Sequence, residues 1–147
     1  MKSTKLLLLG LGAAILFFIL NNKHERKIEK HALENLNLQL VGVVDSVDKL
    51  NGYNGTGVIK LKIITSNIKY YDPRRHLDYY YCIIKNGIAE VYDGSADNLY
   101  RGDTVKINTK AKVITWTHDR NEKQSATIWI NDSDSFYDYI KKYHQRL

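Results

Sequence analysis

Hydrophobic positions follow three successive patterns along this 147-residue chain. Leu6 to Leu20 (LLLLGLGAAILFFIL) is unbroken apolar sequence, bounded by Lys2 and Lys5 on one side and by Lys23-His24-Glu25-Arg26-Lys27 on the other. From Leu38 onward the period is two. Ile59, Leu61 and Ile63 alternate with Lys60 and Lys62, and Val105, Ile107, Thr109, Ala111 and Val113 alternate with Lys106, Asn108, Lys110 and Lys112. Such alternation predicts strands with one wet face over Val58 to Thr65 and Thr104 to Thr115. Leu38 to Val47, Tyr79 to Lys85, Ile88 to Tyr92 and Ala126 to Ile130 complete a set of about six. In the last residues the period becomes helical: Phe136, Ile140, Tyr143 and Leu147 share a face, and Ser133 or Asp134 can cap the helix.

Turn chemistry agrees with this division. Asn86-Gly87 between Ile84 and Ile88 is a two-residue hairpin signal, and Asn51 to Gly57 (NGYNGTG) supplies the positive-φ residues of a loop between antiparallel strands. No helical period interrupts residues 37 to 131, which excludes a doubly wound α/β sheet. The expected fold class is therefore mainly β: an N-terminal transmembrane helix and short helical stalk, then a small antiparallel, partly open β-barrel of five or six strands with a C-terminal α-helix over about 134–147. In strand number the pattern resembles the OB type of small barrel, without an OB sequence motif to quote.

The fifteen-residue apolar run separates a cleaved signal from a retained anchor by its flank. Signal peptidase needs small residues just beyond the core, whereas Phe18, Ile19, Leu20, Asn21 and Asn22 stand there. The only cysteine, Cys82, lies far from the run, so there is no lipoprotein thiol. With Ser3, Thr4, Asn21 and Asn22 included, about nineteen residues at ~1.5 Å each nearly span a ~30 Å hydrocarbon layer. Residues 1–22 are thus expected to be an uncleaved signal-anchor helix with a basic N-terminus, residues 23–36 a charged juxtamembrane helical stalk with Ile28, Ala32 and Leu36 at four-residue spacing, and residues 37–147 the β domain.

Charge changes the reading of partners. The net charge is +6, but residues 1–30 carry six Lys or Arg against two Glu, leaving +2 for the rest. The basicity is juxtamembrane, and Lys23, Arg26, Lys27 and Lys30 are the residues expected to meet anionic lipid headgroups, each contributing about 1 kcal/mol. Flanking charge taken alone would keep the domain in the cytoplasm. The short basic N-region followed at once by a leucine-rich core has the layout of an export signal, which places the domain on the extracytoplasmic, periplasmic side.

Candidate chemistry is sparse. Between Tyr70 and Tyr81 (YYDPRRHLDYYY) aromatic rings flank two arginines, and Tyr71, Arg74, Arg75 and Tyr79 form the candidate binding set, since rings stack on bases or sugars and guanidinium groups meet phosphates. The same tyrosines equally suit a half-buried sheet without any ligand. Cys82 sits in an apolar run as a small, unreactive core side chain, and the histidines His24, His31, His76, His118 and His144 show no zinc spacing. Arg101-Gly102-Asp103 reads as a turn entering a strand, and Asn131 to Ser135 as a helix cap. No catalytic residue, metal site or small-molecule cofactor is expected.

The expected function is a membrane-tethered, non-catalytic binding or interaction module. Its partners are the lipid bilayer and a protein or anionic polymer. The alternative keeps the domain cytoplasmic and gives residues 70–81 a nucleic-acid or anionic-polymer role.

Overall fold

The computed structural model describes residues 36–50, 52–53, 55–118, 122–131 and 133–144, together with helical positions 12, 16–20, 23, 27, 30 and 32–33. The chain is a mainly antiparallel, open, seven-stranded sheet with a C-terminal helix. Strands β1 (Gln39–Lys49), β2 (Gly57–Ser66), β3 (Cys82–Lys85), β4 (Ile88–Asp93), β5 (Thr104–Asn108), β6 (Val113–Thr117) and β7 (Lys123–Thr127) stand in the order β3-β4-β2-β1-β5-β6-β7. Helix α1 spans Asp134–Tyr143, and a 3-10 turn spans Gly94–Asn98.

The strand count exceeds expectation because the alternation from Thr104 to Thr115 crosses a turn. Asn108 Oδ1 accepts from Ala111 N at 3.0 Å and Lys112 N donates to Thr109 O at 3.2 Å, with Lys112 at φ 53°, so one predicted strand is the β5–β6 hairpin. No Gly or Pro marks that turn; an asparagine side chain makes it. Two other expected strands are displaced or shortened. Tyr79 to Tyr81 lie outside β3, and the apolar positions after β7 leave the ladder: Ile128 and Ile130 enter the core while Trp129 is half exposed. The Asn86-Gly87 hairpin forms as expected, both residues at positive φ (54° and 75°).

Paired residues of an antiparallel ladder share a face, which divides the sheet cleanly. On one face Leu40 and Val44 of β1, Ile59 and Leu61 of β2, Cys82 and Ile84 of β3, Ala89 and Val91 of β4, Val105 and Ile107 of β5, and Ile114 and Trp116 of β6 converge on one buried cluster. Ile128 and Ile130 close it, and so do Ala32, Leu33 and Leu36 from the segment expected to be an external stalk. Ile28 lies outside the described residues. Thr109 secures the junction: its hydroxyl accepts from Leu38 N at 2.9 Å and donates to Leu36 O.

The opposite face of β2, β3 and β4 presents Val58, Ile83 and Tyr92, and α1 covers it with Phe136, Tyr137 and Ile140. Tyr80, Tyr92, Phe136 and Tyr137 pack edge to face with ring centroids 5.1–6.4 Å apart. Burial of each such side chain contributes about 1.5–3 kcal/mol. Of the stripe read from sequence, Phe136 and Ile140 are buried, Tyr143 is exposed and Leu147 lies outside the described residues. Tyr137 takes the third position instead. Ser133 precedes the helix as its cap without a side-chain cap bond.

Among the described residues no helix is long and apolar enough to cross a membrane. Most of the apolar run lies outside them. Its described stretch Leu16 to Leu20 is helical, with all five side chains 45–74% exposed.

Candidate functional site

The expected Tyr/Arg set is engaged internally rather than gathered into a cleft. Tyr71 forms an isolated bridge to β3, donating from N to Ile84 O at 2.9 Å and accepting from Ile84 N at 2.8 Å. Its half-buried ring packs on the main core, and burial pushes its hydroxyl pKa up to about 12. Arg74 grips Asp72 through Nε to Oδ1 at 2.7 Å and through Nη2 to Oδ2, which holds the Asp72 carboxyl below its usual range. Tyr79 donates to Asp134 Oδ1 at 2.6 Å and stacks edge-on against Tyr137, pinning this loop to the start of α1. Arg75 is the exposed member of the four. Of the headgroup set, Lys23, Lys27 and Lys30 are exposed and helical, and Arg26 lies outside the described residues.

A better-formed concavity lies where the C-terminal end of α1 meets the sheet. Ser46 and Asp48 of β1, Val58 and Lys60 of β2, Glu90 of β4, and Tyr143 and His144 line a groove of ≈ 200 Å³. Register places them: Ser46 pairs with Lys60, Asp48 with Val58, and Lys60 with Glu90, so all project from the face that α1 half covers. His144, which follows the helix, sets Nε2 3.0 Å from Asp48 Oδ2. Tyr139 donates to the same oxygen at 3.3 Å.

Glu90 is the unusual group. It is only 5% exposed, in a strand of otherwise apolar neighbours, and its Oε1 accepts from the buried Tyr92 hydroxyl at 2.9 Å. Burial raises its pKa; the Tyr92 hydrogen bond and the electrostatic contributions of His144, Lys60 and Arg74 offset this only in part. Lys60, directly across the ladder, forms no ion pair with it. Glu90 and Lys60 thus line one small groove with no ion pair between them.

Two further polar clusters hold structure together. Asp103 bonds His118 Nδ1 at 2.8 Å and accepts from Tyr100 N at 2.8 Å, while Lys49 lies 5.1 Å over the Tyr100 ring, tying the end of β1 to the turn before β5. Asp93, buried, caps the 3-10 turn by accepting from Ser95 N and Ser95 Oγ at 2.8 and 2.6 Å; burial raises its pKa. Cys82 is fully buried, and burial pushes its thiol far up. Among the described residues no group of three His, Cys, Asp or Glu side chains is placed to hold a metal.

Sequence reasoning missed the groove. A carboxylate inside Ile88-Ala89-Glu90-Val91-Tyr92 was the available signal, since charge in an apolar strand must find a purpose or a partner. Asp48 and His144 are 96 positions apart and carried none. No protein-family model, no curated protein and no solved structure matches this chain.

Proposed function

We propose that this protein is a membrane-tethered, non-catalytic binding module. Residues 1–22 act as an uncleaved signal anchor, and the basic residues after it contact anionic headgroups. Residues 37–147 form a partly open barrel-like β domain on the extracytoplasmic side. The observation that carries this reading is the exposed helical stretch Leu16 to Leu20. Five consecutive apolar side chains bared all round a helix are unfavourable in water at about 25 cal/mol per Å² and favourable in a bilayer. The barrel reading draws on the convergence of one face of β1 to β6 on a single cluster.

The alternative, nucleic-acid binding through residues 70–81, draws less support. The Arg74 guanidinium is committed to Asp72 and the Tyr79 hydroxyl to Asp134.

Cell fractionation tests the tether. Full-length chain should pellet with membranes, resist high-salt and carbonate washes, and dissolve in detergent; recovery in the washed soluble fraction overturns the proposal. A C-terminal alkaline phosphatase fusion should be active, and an inactive one reverses the side.

A further inference from the structure

We infer that the groove at the end of α1 binds a small zwitterion: a primary ammonium joined by two or three bonds to a carboxylate or phosphate. This rests on the binding-module reading and does not depend on the membrane tether.

Glu90 is nine-tenths buried yet lines the groove, and only its Oε1 is used within the protein, by Tyr92. Its second carboxylate oxygen has no hydrogen-bond partner among the described residues. A largely buried carboxylate of this kind gains from a compact cation that donates to it. The end of α1 adds to the preference, because Tyr143 and His144 bring the carbonyl-bearing terminus of a ten-residue helix to the same groove. The other half of the ligand is set by Lys60. Lys60 lines the groove across the ladder from Glu90, and among the described residues it makes no ion pair, which leaves its charge available to an anion. Cross-strand partners have Cβ atoms ~4.5–5.5 Å apart, so Lys60 and Glu90 rise from adjacent positions and one small molecule can meet both.

Size narrows the class further. At ≈ 200 Å³ the groove falls below the ~300–1,000 Å³ of sites for drug-sized ligands. Asp48 is already bonded to His144 and Tyr139, so it shapes the wall and leaves Glu90 as the free acceptor. A free α-amino acid and the phosphoethanolamine headgroup of a lipid share the required chemistry.

The test uses the full-length protein in phosphatidylcholine nanodiscs, with L-alanine and phosphoethanolamine as soluble probes and amide chemical shifts as the readout. Either probe should shift resonances of Lys60, Glu90 and Ser46 saturably at millimolar concentration, while ethylamine and acetate, each carrying half the ligand, bind at least ~10-fold more weakly, a factor worth ~1.4 kcal/mol. Nanodiscs containing phosphatidylethanolamine should compete with the probes if the source is the headgroup and leave them unaffected if it is free solute. Glu90→Gln and Lys60→Met should each abolish saturation. Ser46→Trp, at an exposed wall position, should block the groove without touching the buried carboxylate. Equal binding of ethylamine and L-alanine, undiminished binding in all three variants, or no saturable shift in the wild type overturns the inference. A chain that fractionates as soluble yet binds the probes would overturn the tether alone.

Discussion

The Tyr137 hydroxyl answers both backbone groups of Tyr80, accepting from its N–H at 3.1 Å and donating to its carbonyl at 2.7 Å. Tyr80 lies outside regular structure just before β3, where no ladder partner satisfies those groups, so a helix side chain 57 positions away does. The same contact fixes the rotation of α1 on the sheet.

Tyr137→Phe keeps the ring packing and removes both bonds, leaving a buried N–H and C=O unpaired. Chemical denaturation should show a loss of about 1–3 kcal/mol. Phe136→Ala at the centre of the aromatic cluster should cost more, about 3–5 kcal/mol. A Tyr137→Phe protein as stable as wild type would mean that the paired bonds contribute nothing.

Glu90 makes stability depend on pH in a defined direction. Its pKa is raised by burial, so the folded state holds the proton more tightly than the unfolded one. That contribution is fully present below the ordinary glutamate value and is lost as pH rises through the folded value. Asp48, Lys60, Tyr92, Tyr143 and His144 surround the group and remain in a Glu90→Gln variant. Asp93, also raised, titrates in both proteins and cancels in the comparison. Thermal melts should therefore converge near pH ~4 and separate by pH ~8, with Glu90→Gln the more stable at the higher pH. The opposite order at pH ~8 would show that burial does not raise the Glu90 pKa in the folded protein.

Gly57 stands where β2 begins because nothing larger fits. A Cβ there would lie 2.4 Å from the Asp48 carbonyl oxygen and 2.7 Å from Ala96 Cβ, so Gly57→Ala must push β1 or the 3-10 turn aside. The expected cost is about 1–3 kcal/mol by urea melt, and Asp48 would shift with it, weakening its bond to His144. Gly52, whose added Cβ would meet nothing within 4 Å but whose φ is +88°, is the control for backbone strain without crowding.

Cys82 should resist thiol reagents in the native state. It is completely buried on the core-facing side of β3, and burial holds the thiol protonated. Labelling by a disulfide reagent should proceed only at the rate of unfolding and become fast in denaturant. Immediate stoichiometric reaction in buffer would contradict the packing.

Legibility followed range. The hairpin at Asn86-Gly87, the alternation in β2, the existence of β1 and β4, and the helical period at the C-terminus are local consequences of side-chain spacing and turn stereochemistry, and they were readable from the chain. The β5–β6 turn was not, because its asparagine-based geometry leaves the alternation of Thr104 to Thr115 unbroken. The Tyr/Arg segment stood out by composition, yet Asp72 and Asp134 occupy its polar ends.

The amino-acid order by itself determined that this chain has an apolar N-terminal run, a basic flank, a β-rich middle and an amphipathic last helix, since each depends on neighbours within a few residues. Only the tertiary structure decided that Ala32, Leu33 and Leu36 belong to the core, that α1 lies on β2 to β4, and that Glu90, Lys60, Asp48 and His144 share one groove. The physical reason is register: strand pairing and helix docking are chosen by the burial of the whole apolar surface at once, and that sum is not written in any one segment.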